Sequence, residues 1–456
     1  MAEIEQPTQL SRRRFMKQSA LAAGVTLGAA SWLAACGGSP SSSGPVTITV
    51  MDDFQAKDDT TFSDRWVKIF EQQNPKIKVN RIAYDQQKLS AMLAAGSPPD
   101  IIKTSGGPEI TSLAARGLAL DLTAYFQQSS LLKEDDLQPV NDFYRWDGTT
   151  QGKGPRYGMT HDWSQDGMYW IDTAVFDAAH VPYPSQTQPL SFDELLALGE
   201  RLTVRQGGKI KVYGMGTNWD YPQQLMMFLN QQGLSIYKNG DLSQMDFTQP
   251  EVKKIYQWCV DWAQAHVGDS PLDSTSDWYG TLMPAKRYGM AAAGLWFGGF
   301  MESTSPATRE RMLLLPAPQW GSVKRVSPSY GGTGWWIAKG SKHPDEAWKV
   351  FEFYMGGPPA EYRAQTGNGL SPLKHLFDAL PQKTSFDKQA YAVQQAELAY
   401  YATLQFTPYI TPQAISSILD SNLTPVMQGK SDLDNALQQI NTSVNQLLQQ
   451  AKSLIG

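Results

Sequence analysis

Apolar residues recur along the chain with a period that switches between two and about 3.6. Val46–Met51 is apolar and β-branched, Phe62–Gln73 has helical spacing, and Ile77–Ile82 alternates as a strand. A helix over Gln86–Ala95 and a strand over Asp100–Ile102 follow. This order predicts right-handed βαβ units, and therefore an α/β fold with mainly parallel sheets and flanking helices. Ligands of such sheets bind beyond the carboxyl ends of the strands.

Helical patterns also occur later in the chain. Ser191–Glu194 has the sequence of a capping box and precedes a helix over Leu195–Leu202. Helices are also predicted over Thr248–His266 and His343–Met355. We expect Trp258, Trp262 and Trp348 in the core because they lie at helical spacing. The apolar stripes are Val252, Ile255, Cys259 and Trp262 on one helix, and Leu433, Leu437, Ile440, Val444 and Leu447 on a terminal one.

The first 45 residues have the pattern of an export signal and a tether. Arg12–Arg14 precedes an apolar run over Ala20–Leu33, which is too short to span about 30 Å of hydrocarbon. Paired arginines point to the Tat export route. Leu33-Ala34-Ala35-Cys36 resembles the lipobox of bacterial lipoproteins, which implies cleavage before Cys36 and a lipid on its sulfur. We therefore predict a signal peptide over residues 1–35 and a flexible tether over residues 36–45.

Composition narrows the classes of partner. The whole chain of 456 residues has a net charge of −5, and the part after residue 35 has about −7. An acidic balance of this size gives no electrostatic footprint for nucleic acid or anionic lipid. With Cys36 acylated, Cys259 is the remaining cysteine, so no internal disulfide is expected.

Segments in a fixed order over residues 46–456 resemble the family 1 extracellular solute-binding proteins, which are the maltose-binding-like sugar receptors of ABC importers. Each segment is weakly specific alone, and their order is specific. The segments include Asn74–Val79, Leu93–Ile102, Gly117–Thr123, Tyr157–Met159, Met168–Asp172, Phe176–Ala179, Ser191–Leu195, Tyr330–Lys339 and Ser341–Trp348.

The resemblance implies two α/β lobes joined by a hinge that the chain crosses more than once, with a ligand held between them. It places residues 46–155 and 310–365 in lobe one, and residues 156–309 and 366–456 in lobe two. It also implies a monomer that binds a carbohydrate, passes it to membrane permease subunits, and needs no cofactor or metal. Met51–Phe54 and Arg145–Arg156 depart from the general family pattern, which leaves the substrate open.

A sugar site needs aromatic platforms for the C–H faces and planar polar groups for the hydroxyls. Trp296, within Gly294–Gly299, matches the family position at which a tryptophan commonly stacks on a sugar. Asp53 and Gln55 follow the first strand, where the family commonly has hydroxyl-binding groups. Further candidates lie at strand ends, near the lobe junction or in glycine-rich loops: Asp85, Ser105, Gly106, Asp162, Trp163, Trp219, Asp220, Gly332, Trp335, Asn368 and Tyr409.

Catalysis has little support in the sequence. The five histidines are scattered without metal-ligand spacing, and neither a nucleophile elbow nor a P-loop occurs. Three alternatives remain open at this point: a non-sugar polar ligand such as a polyol phosphate, an exported carbohydrate-active enzyme, and a structural or sensory surface lipoprotein with the same fold.

Overall fold

The computed structural model of the protein describes residues 44–52, 61–104, 107–321 and 323–455. All elements below belong to the unit formed by Pro45–Gly456. The predicted lipidation site Cys36 and the candidates Asp53, Gln55, Ser105 and Gly106 lie outside the described residues.

Two five-stranded sheets organise the described residues. The first has the order β2-β1-β3-β12-β6 and the second the order β11-β7-β10-β9-β8, while β4 and β5 form a separate ribbon. The strands are β1 (Val46–Asp52), β2 (Ile77–Ala83), β3 (Ile101–Thr104), β4 (Arg145–Trp146), β5 (Gln151–Arg156), β6 (Gly158–Asp162), β7 (Tyr169–Asp172), β8 (Val204–Gln206), β9 (Lys209–Met215), β10 (Tyr288–Ala292), β11 (Met312–Leu315) and β12 (Thr333–Ile337).

Helices cover the sheets, and those of the first βαβ units agree with the sequence pattern. The helices are α1 (Asp64–Gln73), α2 (Gln86–Ala94), α3 (Pro108–Ala115), α4 (Thr123–Gln128), α5 (Thr173–Ala178), α6 (Phe192–Leu202), α7 (Pro222–Gln231), α8 (Pro250–Gln264), α9 (Tyr279–Leu282), α10 (Trp296–Met301), α11 (Pro306–Arg309), α12 (Pro344–Gly356), α13 (Pro358–Ala364), α14 (Ser385–Glu397), α15 (Pro412–Met427) and α16 (Leu433–Ile455). Short 3-10 helices lie at Glu134–Asp136, Pro139–Tyr144, Lys238–Gly240, Lys374–Ala379 and Leu398–Tyr400. No helix of these residues is long and apolar enough to cross a membrane.

Both sheets are mixed, which corrects the expectation of mainly parallel sheets. β1 pairs in parallel with β2 and β3, and β9 pairs in parallel with β10. The remaining neighbours in the two sheets are antiparallel: β12 lies between β3 and β6, β7 lies between β10 and β11, and β8 pairs with β9. The α/β class is confirmed. The antiparallel pairs of β12 and β7 arise where the chain re-enters a sheet from the other one, and β8 and β9 form a local hairpin.

Strand pairing moves two segments relative to the expected lobes. β6 (158–162) pairs with β12 in the first sheet, although residues from 156 onward were expected in lobe two. β11 (312–315) pairs with β7 in the second sheet, although residues from 310 were expected in lobe one. The junctions therefore lie after β6 and after β11, a few residues beyond the positions predicted from sequence.

The chain passes between the sheets in three places that the structure describes. The first is the short link from β6 to β7, the second is the segment from β11 to β12, and the third follows α13 and leads to α14. Two of these crossings pair with each other: the Trp163 N–H donates to the Leu370 carbonyl at 3.3 Å, and the Leu370 N–H donates to the Trp163 carbonyl at 2.7 Å. The hinge is thus a small hydrogen-bonded bundle of crossing strands.

The predicted helix faces are largely confirmed. Ser191 and Glu194 form a capping box at the start of α6. Trp258, Trp262 and Trp348 are buried. Cys259 is also buried as a free thiol on the inner face of α8. On α16 the stripe ends at Leu448, which is fully buried, whereas Leu447 is 37% exposed, because the fourth residue after Val444 returns to the inner face.

Candidate functional site

A cleft of about 600 Å³ opens where the three crossings meet. The ends of β6 and β12 from the first sheet and the loops after β9 and β10 from the second sheet contribute to its wall. The residues that line it are Asp162, Trp163, Ser164, Asp166, Asn218, Tyr221, Gln223, Trp278, Tyr279, Ala292, Ala293, Trp296, Tyr330, Gly332, Thr333 and Asn368. The cleft is therefore bounded by both sheets and by the hinge.

Asp162 provides a fixed carboxylate at the carboxyl end of β6. Its Oδ1 accepts hydrogen bonds from His161 Nδ1 at 2.8 Å and from the Thr333 hydroxyl. Burial raises the pKa of Asp162, but the adjacent His161, the Lys103 ammonium and these hydrogen bonds outweigh burial and lower the pKa to about 2. Asp162 is therefore ionised at neutral pH and acts as an acceptor.

His161 orients this carboxylate from behind. Its Nε2 lies 2.7 Å from the Tyr354 hydroxyl, and stacking brings the His161 and Tyr354 rings to 5.4 Å between centroids. Burial lowers the pKa of His161, with the Arg363 charge acting in the same direction, so the ring is neutral at pH 7. Because a carboxylate can only accept, Nδ1 carries the proton and Nε2 accepts from the tyrosine.

Aromatic rings form the wall of the cleft on the side of the second sheet. Trp296 and Trp278 are parallel within 4°, with 6.5 Å between ring centroids. Phe300 and Phe297 contact the Trp278 ring edge-on at 4.7 and 6.2 Å. The Trp296 N–H donates to Ser164 Oγ at 3.0 Å, which ties the start of α10 to the hinge. Such a surface suits the apolar face of a ring-shaped polar molecule.

Asp166 is a second carboxylate in the cleft, and sequence reasoning missed it. Its Oδ2 accepts from the Tyr330 N–H at 2.9 Å and from Ser329 Oγ at 3.5 Å. Burial raises the pKa of Asp166, and Asp162 adds to this effect, so the pKa reaches about 7 despite the hydrogen bonds. The sequence feature that could have identified Asp166 is its position in the short polar link between the strands β6 and β7.

The loop after β9 was predicted to contribute through Trp219 and Asp220, and the structure corrects this by one residue on each side. Asn218 and Tyr221 line the cleft. Trp219 packs into the core with 9% exposure, and Asp220 is not among the lining residues. The sequence identified the segment after β9 as part of the cleft. Which of its side chains point into the cleft depends on the turn that leads into α7.

The cleft brings together five of the predicted residues: Asp162, Trp163, Trp296, Gly332 and Asn368. The Trp163 ring is fixed because its indole N–H donates to the Ser371 carbonyl at 3.2 Å. Asn368 and Gly332 belong to the third and second crossings, respectively.

Three other candidates lie elsewhere. Trp335 is fully buried within β12, where its indole N–H donates to Asp52 at 3.3 Å, because strand alternation turns it toward the core of the first lobe. Asp85 caps α2 by accepting from the Lys88 N–H at 2.8 Å. Tyr409 is not a lining residue, and its carbonyl accepts from the Arg116 guanidinium at 2.9 Å.

A second chamber of about 810 Å³ adjoins the first and shares Trp296 and Asn368 with it. Its wall includes Lys103 of β3 and Tyr362 of α13 on one side, and Phe300 on the other. The two chambers together offer more room than one sugar ring needs, with a tryptophan at their boundary.

The described lining of the first chamber carries two carboxylates and no Lys, Arg or His. Across the described part of the chain, no group of three or more His, Cys, Asp or Glu side chains is placed to hold a metal ion. The geometry offers hydrogen-bond acceptors, amides and ring faces, which is the chemistry of binding a polar, uncharged ring.

A family model described as bacterial extracellular solute-binding protein matches residues 50–356. No curated protein sequence matches the chain.

Many solved structures are similar in fold. An ABC substrate-binding protein from Listeria monocytogenes in complex with cycloalternan has a TM-score of 0.74 at 21% identity, covering 89% of this chain and 99% of that one. A solute-binding protein from Thermotoga lettingae bound with α-D-tagatose has a TM-score of 0.70 at 20% identity, covering 89% and 100%. The maltose/maltodextrin-binding domain from Bdellovibrio bacteriovorus bound to maltotriose has a TM-score of 0.69 at 15% identity, covering 89% and 100%. These similarities show the two-lobed fold.

Proposed function

The chain belongs to the bacterial extracellular solute-binding proteins, and from this premise we propose that it captures a sugar or oligosaccharide by closing its two lobes. The closed form then delivers the ligand to the membrane permease of an ABC importer. Neighbours of the same fold were solved with cycloalternan, tagatose and maltotriose, which supports this ligand class.

The observation that carries the proposal is the pairing of ring faces with oriented acceptors in one cleft. Trp296 presents an indole face, Asp162 presents an ionised carboxylate, and Asn218 and Asn368 add planar amides. A sugar needs both kinds of surface at once, since its C–H faces are apolar and its edge carries hydroxyls. Because both lobes contribute, a bound sugar favours the closed state by differential contact.

The alternatives fit the cleft less well. A polyol phosphate would bring negative charge into the first chamber, whose described lining has two carboxylates and no cationic side chain. Cationic side chains line the second chamber, where Glu302 and Asp387 accompany them. A glycoside-cleaving enzyme needs two carboxyl groups flanking the scissile bond. Here Asp162 and Asp166 lie on one short segment of the wall, and His161 holds Asp162 from behind. A sensory role shares the same binding step and differs in the partner.

We further propose that the mature protein is a monomer anchored to the outer face of the cytoplasmic membrane by a lipid on Cys36. The support is the sequence before and after this residue, with the small residues Ala34 and Ala35 and the tether that follows. Mass spectrometry of the membrane-extracted protein tests the anchor. We expect a diacylglycerol-modified N-terminal Cys36, and release of the Cys36→Ser variant from the membrane.

A thermal-shift panel on the soluble chain from residue 37 onward tests the proposed function. The panel contains maltotriose, mannobiose, tagatose, mannitol and a polyol phosphate. We expect at least one neutral carbohydrate to raise the melting temperature, because a ligand at 100 times its Kd adds about 2.7 kcal/mol to the unfolding free energy. A shift by the polyol phosphate alone contradicts the sugar proposal, and turnover of an oligosaccharide by purified protein contradicts the binding role.

A further inference from the structure

Asp166 is held rigidly at the hinge. The preceding residue, Gln165, is fully buried, and its side-chain amide donates to the carbonyls of Ser327 at 2.7 Å and Glu397 at 2.8 Å. The Tyr330 N–H also donates to Asp166 Oδ2 at 2.9 Å. The carboxyl group of Asp166 therefore has a fixed position in the wall of the first chamber.

The charges around Asp166 are uneven. The titratable side chains that face it are Asp162, Tyr221, Tyr279 and Tyr330, and no cationic side chain lines the chamber in the residues that the structure describes. His161 and Lys103 act on Asp162. Asp162 is thus kept ionised, whereas Asp166 has hydrogen-bond donors but no cationic side chain beside it in the described lining of the chamber.

We propose that Asp166 binds the ligand as a neutral carboxylic acid, donating its O–H to an uncharged oxygen of the ligand, so that ligand capture takes up one proton. This inference rests on the proposed function and specifies the polar contact. Closure removes the water that would solvate an ionised Asp166, and a neutral sugar brings no positive charge to stabilise the carboxylate. The protonated form of Asp166 therefore becomes more favourable. A protonated carboxyl group supplies a donor, which the ionised Asp162 cannot supply.

Proton uptake has a defined pH signature. Because the pKa of Asp166 in the free protein is about 7, and binding of a neutral ligand raises it further, affinity is highest below pH 7. Above pH 7 the affinity falls by up to about tenfold per pH unit until the pKa of the complex is reached.

Calorimetric titration tests this with maltotriose, or with mannobiose or tagatose if one of these gives the larger thermal shift. Titrations at pH 6, 7 and 8 in phosphate and in imidazole separate proton transfer from binding, since both buffers cover this range and differ in ionisation enthalpy. We expect uptake approaching one proton at pH 8 and close to none at pH 6, with Kd rising about fivefold from pH 7 to pH 8.

Three variants assign the proton. Asp166→Asn keeps a donor at the position and should bind with an affinity that changes less than about twofold between pH 6 and pH 8. Asp162→Asn should weaken binding at every pH and move the onset of the pH dependence to a lower pH, because the Asp162 charge helps to raise the pKa of Asp166. Glu109→Gln is the matched control, because burial raises the pKa of Glu109 to about 7 as well, but Glu109 is outside the lining of the cleft; this variant should keep the wild-type slope.

A measurement without ligand tests the free state. The folded pKa of Asp166, about 7, is above the value of about 3.9 in an unfolded chain. The folded protein therefore holds the proton more tightly, and this contribution to stability is lost as pH rises from about 4 through 7. The melting temperature of Asp166→Asn should consequently rise relative to wild type between pH 5 and pH 8.

The outcomes separate the two proposals. If no carbohydrate of the panel binds, the proposed function fails and the present inference fails with it. If a sugar binds without proton exchange, with proton release, or with a slope that Asp166→Asn retains, the inference about Asp166 is overturned while the sugar-binding function stands. Melting temperatures of wild type and Asp166→Asn that run parallel from pH 5 to pH 8 also overturn it.

Discussion

At the residue scale, the two parallel tryptophans of the cleft have unequal roles. Carbon atoms in contact lie about 3.5–4.0 Å apart, so a ring inserted between two indoles needs about 7–8 Å between them. The Trp278 and Trp296 centroids are 6.5 Å apart, which leaves too little room for a sugar. We therefore expect the ligand to stack on the face of Trp296 that is turned away from Trp278.

Replacing Trp296 by alanine should weaken sugar binding about 10- to 100-fold, because burial of such a side chain contributes about 1.5–3 kcal/mol. Trp278→Ala should reduce the affinity less than Trp296→Ala does, since Trp278 lies behind the Trp296 ring and does not itself contact the ligand. The melting temperature of the empty protein should change little, as Trp296 is only partly buried. Titration calorimetry measures the affinities, with Tyr183→Ala as control because its ring is 46% exposed and outside the cleft. Normal binding by Trp296→Ala would remove this residue from the site.

At the element scale, the hinge depends on how closely the crossing strands approach. Gly332 has a φ of +59°, and a Cβ there would lie 2.5 Å from the Asp162 carbonyl and 3.0 Å from Trp163 Cβ. Only glycine lets the start of β12 pass this close to the end of β6. The same contact sets the position of the Asp162 carboxylate in the cleft.

Gly332→Ala should therefore lower both stability and ligand affinity. The left-handed backbone alone costs about 1–2 kcal/mol for alanine, and the clash with backbone adds to this cost. Gly208→Ala is the matched control: its φ is +74°, but a Cβ there meets nothing within 4 Å, so it should show the backbone cost alone and normal binding. Urea denaturation and calorimetry measure the two effects, and equal losses in both variants would argue against the close approach.

The sequence predicted which segments form helices and strands, but it did not predict which strands pair with each other. The early βαβ order, the capping box of α6 and the core tryptophans follow from local periodicity and end chemistry. Pairing of β6 with β12 and of β11 with β7 joins residues far apart in the chain, and no local pattern specifies that choice. The expected lobe boundaries were displaced for this reason.

The site was predictable to the level of segments. Trp296, Asp162 and Asn368 were placed in the cleft. Trp335 was assigned to a glycine-rich loop, but it lies in β12, where alternation directs it inward. Asp166 was missed because its significance comes from burial beside Asp162 and contact with the distant Tyr330, which only the tertiary structure supplies.

At the scale of the whole molecule, the cleft lies at the junction of two lobes that three crossings connect. Ligand contacts from both lobes shift the population toward the closed form. Small-angle X-ray scattering should therefore show a smaller radius of gyration after addition of the sugar that shifts the melting temperature. Trp296→Ala at the same sugar concentration should show a smaller decrease. An unchanged radius for wild type at saturation would contradict a closing hinge.

The burial of Cys259 makes the molecule convenient for a different purpose. Its thiol is 1% exposed, and burial raises its pKa far above the ordinary value, so maleimide reagents at neutral pH should leave it unmodified. In a soluble chain that lacks Cys36, one cysteine introduced at the rim of the cleft could thus carry a fluorescent dye without removal of any native residue. Movement of the lobes on ligand binding would then change the fluorescence of the dye, and the protein would serve as an optical sensor for its ligand.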